Sequence, residues 1–398
     1  MCAVEWKSLE ELGVFYGGLS GKSKDDFQDG NAKFVTYMNV YSNMSLDFTI
    51  ADMVKVGEYE KQNSIKYGDI LFTGSSETPD DCGMSCVVTN HINEPIYLNS
   101  FCFGFRFYEV EKFEPNFLKH YFRCIAIRKA ISLTASGVTR FNVSKKRFGK
   151  IQIPLLVVSK QQEIVSQLDT FTTLISNLES ELDMRRKQYE HYRNQLLDFE
   201  GVEGVEWKTL GDLSLKITDG AHTSPKSTSE GYYMPSVKDM TDYGFDFSDC
   251  KIISEEDYED LKRIGCQPNV SDILIAKDGS MLRYVFALKE KLDIVLLSSI
   301  AIITPKQELI MSEYLVHYLK QSSVREIVIR DYSSKGGVPR IILKNFKKII
   351  IPTPAINIQQ QIVEKLDAFE QLIQSLETEI KLRKQQYEYY REKLLTFE

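Results

Sequence analysis

Five histidines, seven cysteines and one glycine-rich turn are the residues from which catalysis or metal binding would have to be built in this chain. Cys82 and Cys86 with His91 supply soft and borderline ligands, but no fourth ligand stands at a usual spacing and no C-x-x-C pair exists. Reduced, buried thiols are the expectation, and no metal site. Gly17-Gly18-Leu19-Ser20-Gly21-Lys22-Ser23 has the look of a phosphate loop. Only three residues separate Gly17 from Gly21 where the motif needs four, and no apolar helix follows. There is no dinucleotide fingerprint, no H-E-x-x-H, and no D-P-P-Y or N-P-P-F signature of an adenine methyltransferase. His120 and His317 recur in matching helical segments and read as structural. The chain is therefore expected to hold no catalytic residue, no metal and no cofactor of its own.

Charge placement points elsewhere. The net charge of −7 does not suit a protein that simply coats nucleic acid, but net charge says little about a local footprint. From Pro115 to Lys160 there is no acidic residue, while Lys119, Arg123, Arg128, Lys129, Arg140, Lys145, Lys146, Arg147, Lys150 and Lys160 all lie there. A second stretch, Tyr314 to Ile350, holds Lys320, Arg325, Arg330, Lys335, Arg340, Lys344, Lys347 and Lys348 against Glu326 and Asp331. Aromatics, including Phe141, Phe148 and Phe346, are interleaved with both. Such segments suit phosphate contact. Base-reading groups belong on loops held by a sheet. The polar loop candidates are 21–31 and 39–43, then 218–226, 238–242 and 277–283. The residues expected to touch DNA are Lys22, Lys24, Asn39, Arg140, Lys145, Lys146 and Arg147, and then His222, Lys226, Lys238, Lys277, Arg283, Arg340, Lys344 and Lys347.

These segments recur because the chain is written twice. Val4-Glu5-Trp6-Lys7-Ser8-Leu9 returns as Val205-Glu206-Trp207-Lys208-Thr209-Leu210, and Asp69-Ile70-Leu71 returns as Asp272-Ile273-Leu274. Gly137-Val138-Thr139-Arg140 becomes Gly337-Val338-Pro339-Arg340. Co-linear matches of this kind mean a duplication. Residues 161–200 share 22 identities in 40 positions with 359–398, whereas little survives between the anchors earlier in each copy. Similar frames with dissimilar faces suggest two ligands, or two words of one ligand.

Each copy ends in a helix. Ile164, Leu168, Phe171, Ile175, Leu178, Leu182, Arg185, Tyr189, Tyr192, Leu196 and Phe199 fall in steps of four and three. Ile362, Leu366, Phe369, Ile373, Leu376, Ile380, Arg383, Tyr387, Tyr390, Leu394 and Phe397 repeat them. This 3.5-residue period predicts a coiled-coil seam. Leu168, Phe171, Ile175, Leu178, Leu182 and Arg185 are expected to pair with Leu366, Phe369, Ile373, Leu376, Ile380 and Arg383. Antiparallel packing, roughly 54 Å long at 1.5 Å per residue, would hold the globular parts at opposite ends about an approximate two-fold axis. Arg185 and Arg383 either pair with Glu181 and Glu379 or snorkel out of the seam. The tyrosines read as packing residues. Strands expected at 33–40, 96–110 and 294–304 do not alternate regularly with helices, so each globular part reads as α+β. The domains expected are 1–157, the helix 158–200, 201–355 and the helix 356–398. The N-terminus has no apolar signal core and no stretch suits a membrane span, so a cytosolic home is expected.

The order of these motifs resembles the specificity subunits of type I restriction–modification systems over the whole chain. The residues that carry it are 137–140 and 337–340, then Lys150-Ile151-Gln152-Ile153-Pro154 and Lys348-Ile349-Ile350-Ile351-Pro352. Gln161-Gln162-Glu163-Ile164-Val165 and Gln359-Gln360-Gln361-Ile362-Val363 open the helices. Thr218-Asp219-Gly220-Ala221-His222, followed by Pro235-Ser236-Val237-Lys238-Asp239-Met240, is similar to the start of a target recognition domain. The link 155–160 departs from the pattern, because its prolines are thinned. The resemblance implies a non-catalytic subunit that reads a split double-stranded DNA site, one half per globular domain. It also implies two methyltransferase subunits that methylate adenine with S-adenosylmethionine, and recruitment of an ATP-dependent nuclease. The competing reading is a coiled-coil scaffold that never touches nucleic acid.

Overall fold

The structure, a computed structural model, describes residues 4–334 and 340–397, so Cys2, Lys335 and the repeated motif's residues 337–339 lie outside the described residues. It divides into two compact units, Met1–Glu179 with Thr378–Glu398, and Ser180–Glu377. Each unit joins one globular head to stretches of both long helices.

The first head is built on a four-stranded antiparallel sheet in the order Gly13–Gly17, Cys102–Phe107, Ile70–Thr73, Ser85–Val87. The second repeats that order with Ser214–Asp219, Ile300–Pro305, Ile273–Ala276 and Val285–Ala287. Ile70, Leu71 and Phe72 are fully buried, as are Ile273, Leu274 and Ile275, so the central strands carry apolar residues on both faces and show no alternation. A smaller sheet in the first head sets Ala32–Val35 parallel to Ile96–Leu98.

Strand lengths differ from expectation for local reasons. The segment expected at 33–40 ends as a strand at Val35, because the Thr36 side chain accepts a hydrogen bond from the Asn39 N–H and caps a helix at Tyr37–Ser42. Residues 39–43 are therefore largely helix and not loop. The segment 96–110 breaks where the Asn99 side chain accepts from the Phe101 N–H at 2.9 Å, and its second strand ends at Phe107. In 294–304 the strand starts only at Ile300.

Both heads close in the same way. Glu5–Ser8 pairs with Gln152–Leu155, Trp6 opposite Pro154, and Glu206–Thr209 pairs with Ile350–Thr353, Trp207 opposite Pro352. The repeated tryptophan and proline motifs are thus two strands of one clasp.

The long helices run Val158–Leu196 and Ile356–Leu395. In the first unit Phe171 stacks on Tyr390 at 5.2 Å and, farther along, Glu179 pairs with Lys384 at 2.7 Å. In the second, Arg186 pairs with Glu377 at 2.6 Å and Tyr192 stacks on Phe369 at 5.5 Å. The partner number falls as the first helix advances, so the pairing is antiparallel. Ile164, Leu168 and Ile175 share a core with head residues such as Phe117 and Phe148, so the seam serves a head as well as a helix. Leu366 and Ile373 do the same in the second unit, with Phe369 and Leu182 packed against that core. Ile380 is buried, while Leu178 and Leu376 are half-buried. Arg185 and Arg383 take both routes left open by their spacing. Each pairs with the glutamate one turn back, Glu181 at 3.3 Å and Glu379 at 2.7 Å, with more than a third of its side chain in solvent.

Candidate nucleic-acid interface

Each head is fastened to the helices by buried polar groups that leave its loops free to differ. The opening glutamine of each helix is fully buried. Gln161 accepts from the Glu114 N–H and donates to the carbonyls of Lys112 and Leu156, each at 2.8 Å. Gln359 accepts from Met311 N–H and donates to Leu309 and Pro354. The two histidines form a second fastening. His120 Nε2 lies 2.8 Å from Asp169 and its Nδ1 2.8 Å from the Tyr387 hydroxyl. Burial pushes the His120 pKa below its ordinary value, outweighing the Asp169 hydrogen bond, so the ring is neutral: Nε2–H donates to Asp169 and the tyrosine donates to Nδ1. His317 sits 2.8 Å from Asp367 and 3.2 Å from the oxygen of the Tyr189 hydroxyl, whose one proton is donated to Glu370 at 2.7 Å. His317, Asp367 and Glu370 bring three ligand atoms within 4.8 Å of one another. Lys320, 3.2 Å from Glu370, already supplies the positive charge there, which favours a protein ion-pair network over a bound cation.

Much of the basic sequence proves structural. Lys119 pairs with Asp169 at 2.7 Å. Arg123 donates to carbonyls of Ser85, Tyr41 and Asn43, and Arg128 to those of Gly83, Asp80 and Cys82. Burial, with the neighbouring Arg123 second, lowers the Arg128 pKa to about 10. In the second head Arg325 holds the Met281 carbonyl and Arg330 pairs with Asp331. Phe148 and Phe346 are fully buried anchors and offer no stacking face.

Among the cations that remain exposed, one set falls at equivalent places in the two heads. In the first head Arg140 stands on the repeated loop, followed by Lys145, Lys146 and Arg147 on the short helix Lys145–Phe148. In the second, exposed Arg340 is followed by exposed Lys344 and Lys347 on and beside the helix Leu343–Phe346. Both loops are tied to the chain that follows the central strand. Asn142 pairs with Ser75 in the first head, and Arg340 bridges to Asp278 in the second. Lys24, His222, Lys226, Lys238 and Arg283 are also exposed; His222 Nε2 lies 3.4 Å from Asp219.

Several expected contacts are engaged internally: Arg147 donates to the Leu133 carbonyl, Lys238 to the Asp249 carbonyl at 3.2 Å and Arg140 to the Ser75 hydroxyl at 3.1 Å, and three more are held tighter. The Lys22 ammonium is buried against Glu60 at 2.6 Å and the Lys55 carbonyl. This lysine and the hydrogen bond from Gln62 hold Glu60 at a pKa of about 2. The Asn39 side chain donates to the Asp47 carbonyl and accepts from its N–H. Lys277 is buried and paired with Asp219 at 3.2 Å. The glycine-rich turn at 17–23 leads into a short 3-10 turn, Lys24–Phe27, capped by Ser23, so no helix N-terminus backs it for phosphate. The six described cysteines are free and buried; burial pushes the Cys86 and Cys102 thiols to about 12. The groove beside Arg140 had no signal in the sequence, because Tyr37, Glu77 and Phe101 come from three separate segments.

Each unit sets an α+β head of the same strand order on stretches of both long helices, and the class of protein follows from that repeated frame together with the family match. The sequence model described as the type I restriction modification DNA specificity domain matches residues 3–184 and again 203–383. The chain therefore belongs to that family, whose specificity subunits are the non-catalytic components of their complexes. It is similar to the type I restriction enzyme EcoR124I/EcoR124II specificity subunit of Escherichia coli, 34% identical over 60% of this chain and 59% of the relative. A putative type I restriction enzyme specificity subunit of Haemophilus influenzae is 31% identical over 72% of this chain and 73% of its own length. The fold is shared with the S subunit of a type I restriction–modification system from M. genitalium, TM-score 0.55 and 14% identity over 100% and 97% of the two chains. A chain from a structure addressing complex assembly and conformational transition of the type I R-M system matches at TM-score 0.61 and 15% identity, covering 99% and 98%. Among the described residues no helix is long and apolar enough to cross a membrane.

Proposed function

We propose that this chain is the sequence-reading subunit of a type I restriction–modification complex and recognises a split DNA target, one half per head. Residues 1–157 and 201–355 act as target recognition domains. The helices at 158–200 and 356–398 set the unread gap. Two adenine-methylating subunits dock on the chain, a restriction subunit joins through the assembled complex, and the assembly works in the cytoplasm.

The observation that carries this reading is the distribution of unspent positive charge. Once internally bonded cations are set aside, exposed Lys145 and Lys146 on the short helix of the first head are matched by exposed Lys344 and Lys347 on and beside that of the second. A scaffold needs no such coincidence, whereas duplex DNA demands it, since phosphate contacts position each head before base edges are read. The test is to map methylated adenines in a host with the partner methyltransferase, with and without this gene. A two-part motif that appears only with the gene is expected. Methylation that ignores the gene, or no footprint on DNA from the assembled complex, would leave only the scaffold.

A further inference from the structure

The first head contains a groove of about 600 Å³, open to solvent, between the helix Tyr37–Ser42 and the loop after the central strand. Arg140 lines it and is exposed, yet it is held in place. Its Nε donates to the Ser75 hydroxyl at 3.1 Å and its guanidinium lies 5.7 Å from the centre of the Phe101 ring. Ser75 is itself buried and tied into the strand pairing with Asn142, so the anchor is rigid. Among the described residues Arg140 forms no ion pair and no further hydrogen bond, which leaves the terminal nitrogens of its fork to face a ligand.

The groove's other groups decide what that ligand is. Glu77 is exposed in it, and Asp81 lines it with its carboxylate occupied by the Tyr41 and Thr78 hydroxyls. Two carboxylates repel a phosphate. They do not repel a base pair that offers both acceptors and a donor. In the major groove guanine presents O6 and N7, which a guanidinium reads bidentately, and its partner cytosine presents an N4 amino donor, which a carboxylate accepts. Met38 and Phe101, both more than half exposed, give the groove an apolar rim suited to base edges.

We infer that Arg140 and Glu77 read one G·C base pair in the half-site of the first head, Arg140 on guanine and Glu77 on cytosine. The inference rests on the proposed DNA-reading function and adds the base pair and the residues. The second head carries Asp278 where Ser75 anchors the arginine, so this anchor does not recur there.

The experiment expresses the chain with its partner methyltransferase in a methylation-free host and sequences the methylated adenines. The unaltered chain is expected to give a two-part motif with an invariant G·C pair in one half. Arg140→Ala should make that one position degenerate, with methylation at wrong-base sites rising roughly tenfold or more relative to the cognate site, and the other half unchanged. Arg140→Lys should relax it too, because an ammonium lacks the fork. Glu77→Gln, on an exposed loop and harmless to folding, should relax the same pair. Overturning results are a uniform loss of methylation with the motif intact, which marks a phosphate contact, or an unchanged motif in all three variants. A relaxed position that is not G·C would also overturn it. If the unaltered chain yields no two-part motif, the proposed function itself fails.

Discussion

The two heads share a sheet and hold the same buried aspartate in different ways. In the first, Asp69 accepts from the Arg106 guanidinium at 2.8 and 2.6 Å, and from the Tyr16 hydroxyl at 2.6 Å. In the second, Asp272 takes the corresponding place and accepts from the Thr304 hydroxyl at 2.6 Å. Each aspartate also caps the turn before its strand, Asp69 through the Lys66 N–H and Asp272 through Asn269. The turn-capping role is constant and the neighbours are not. The helix-facing side behaves oppositely: the glutamine fastenings and the His–Asp–Tyr contacts recur residue for residue. A duplicated head can thus drift where it faces solvent or repacks locally, while whatever touches the helices stays matched.

The largest expected effect tests the matched side. Leu168→Ala and Leu366→Ala each empty a fully buried position and should each cost about 2–5 kcal/mol. The two losses should agree, read as hydrogen-exchange protection of the affected unit; a large disagreement would mean that the helical halves are not equivalent.

The aspartates come next and should not agree. Asp69→Asn leaves Arg106, about a third exposed, without its carboxylate and should cost on the order of 3 kcal/mol. Asp272→Asn loses only a charge-assisted hydrogen bond to Thr304 and the turn cap, about 1–2 kcal/mol. Equal denaturation losses in the two heads would mean that the Arg106 partner adds nothing to what Thr304 supplies.

Acidification should act on the first unit through His120. Its folded pKa is depressed, so its stabilisation is complete above the unfolded value near 6.5 and is lost as pH falls toward the folded value. The expected slope is at most about 1.4 kcal/mol per pH unit, and only where the unfolded chain alone is protonated. His120→Gln should flatten it in melting curves between pH 7.5 and 5; an unchanged slope would place the titrating group elsewhere.

The smallest effect concerns phosphate contacts. Lys344→Ala with Lys347→Ala, and separately Lys145→Ala with Lys146→Ala, should each lower the salt dependence of DNA binding by up to about two units of slope without changing the methylated motif. A changed motif would turn these lysines into base readers.

Sequence alone settled whatever repeats along the chain. The duplication, the seam and the paired clasp motifs follow from periodicity and order, because a 3.5-residue apolar step and a recurring motif need no knowledge of distant contacts. The basic stretches were legible as composition. Which cations were free was not, since Lys119, Arg123, Arg128 and Lys277 find partners from remote segments. The His120 and His317 fastenings, the buried helix-opening glutamines and the groove beside Arg140 were decided only by tertiary structure. Hydrogen bonding and burial depend on which segments meet in space, and linear spacing does not record that.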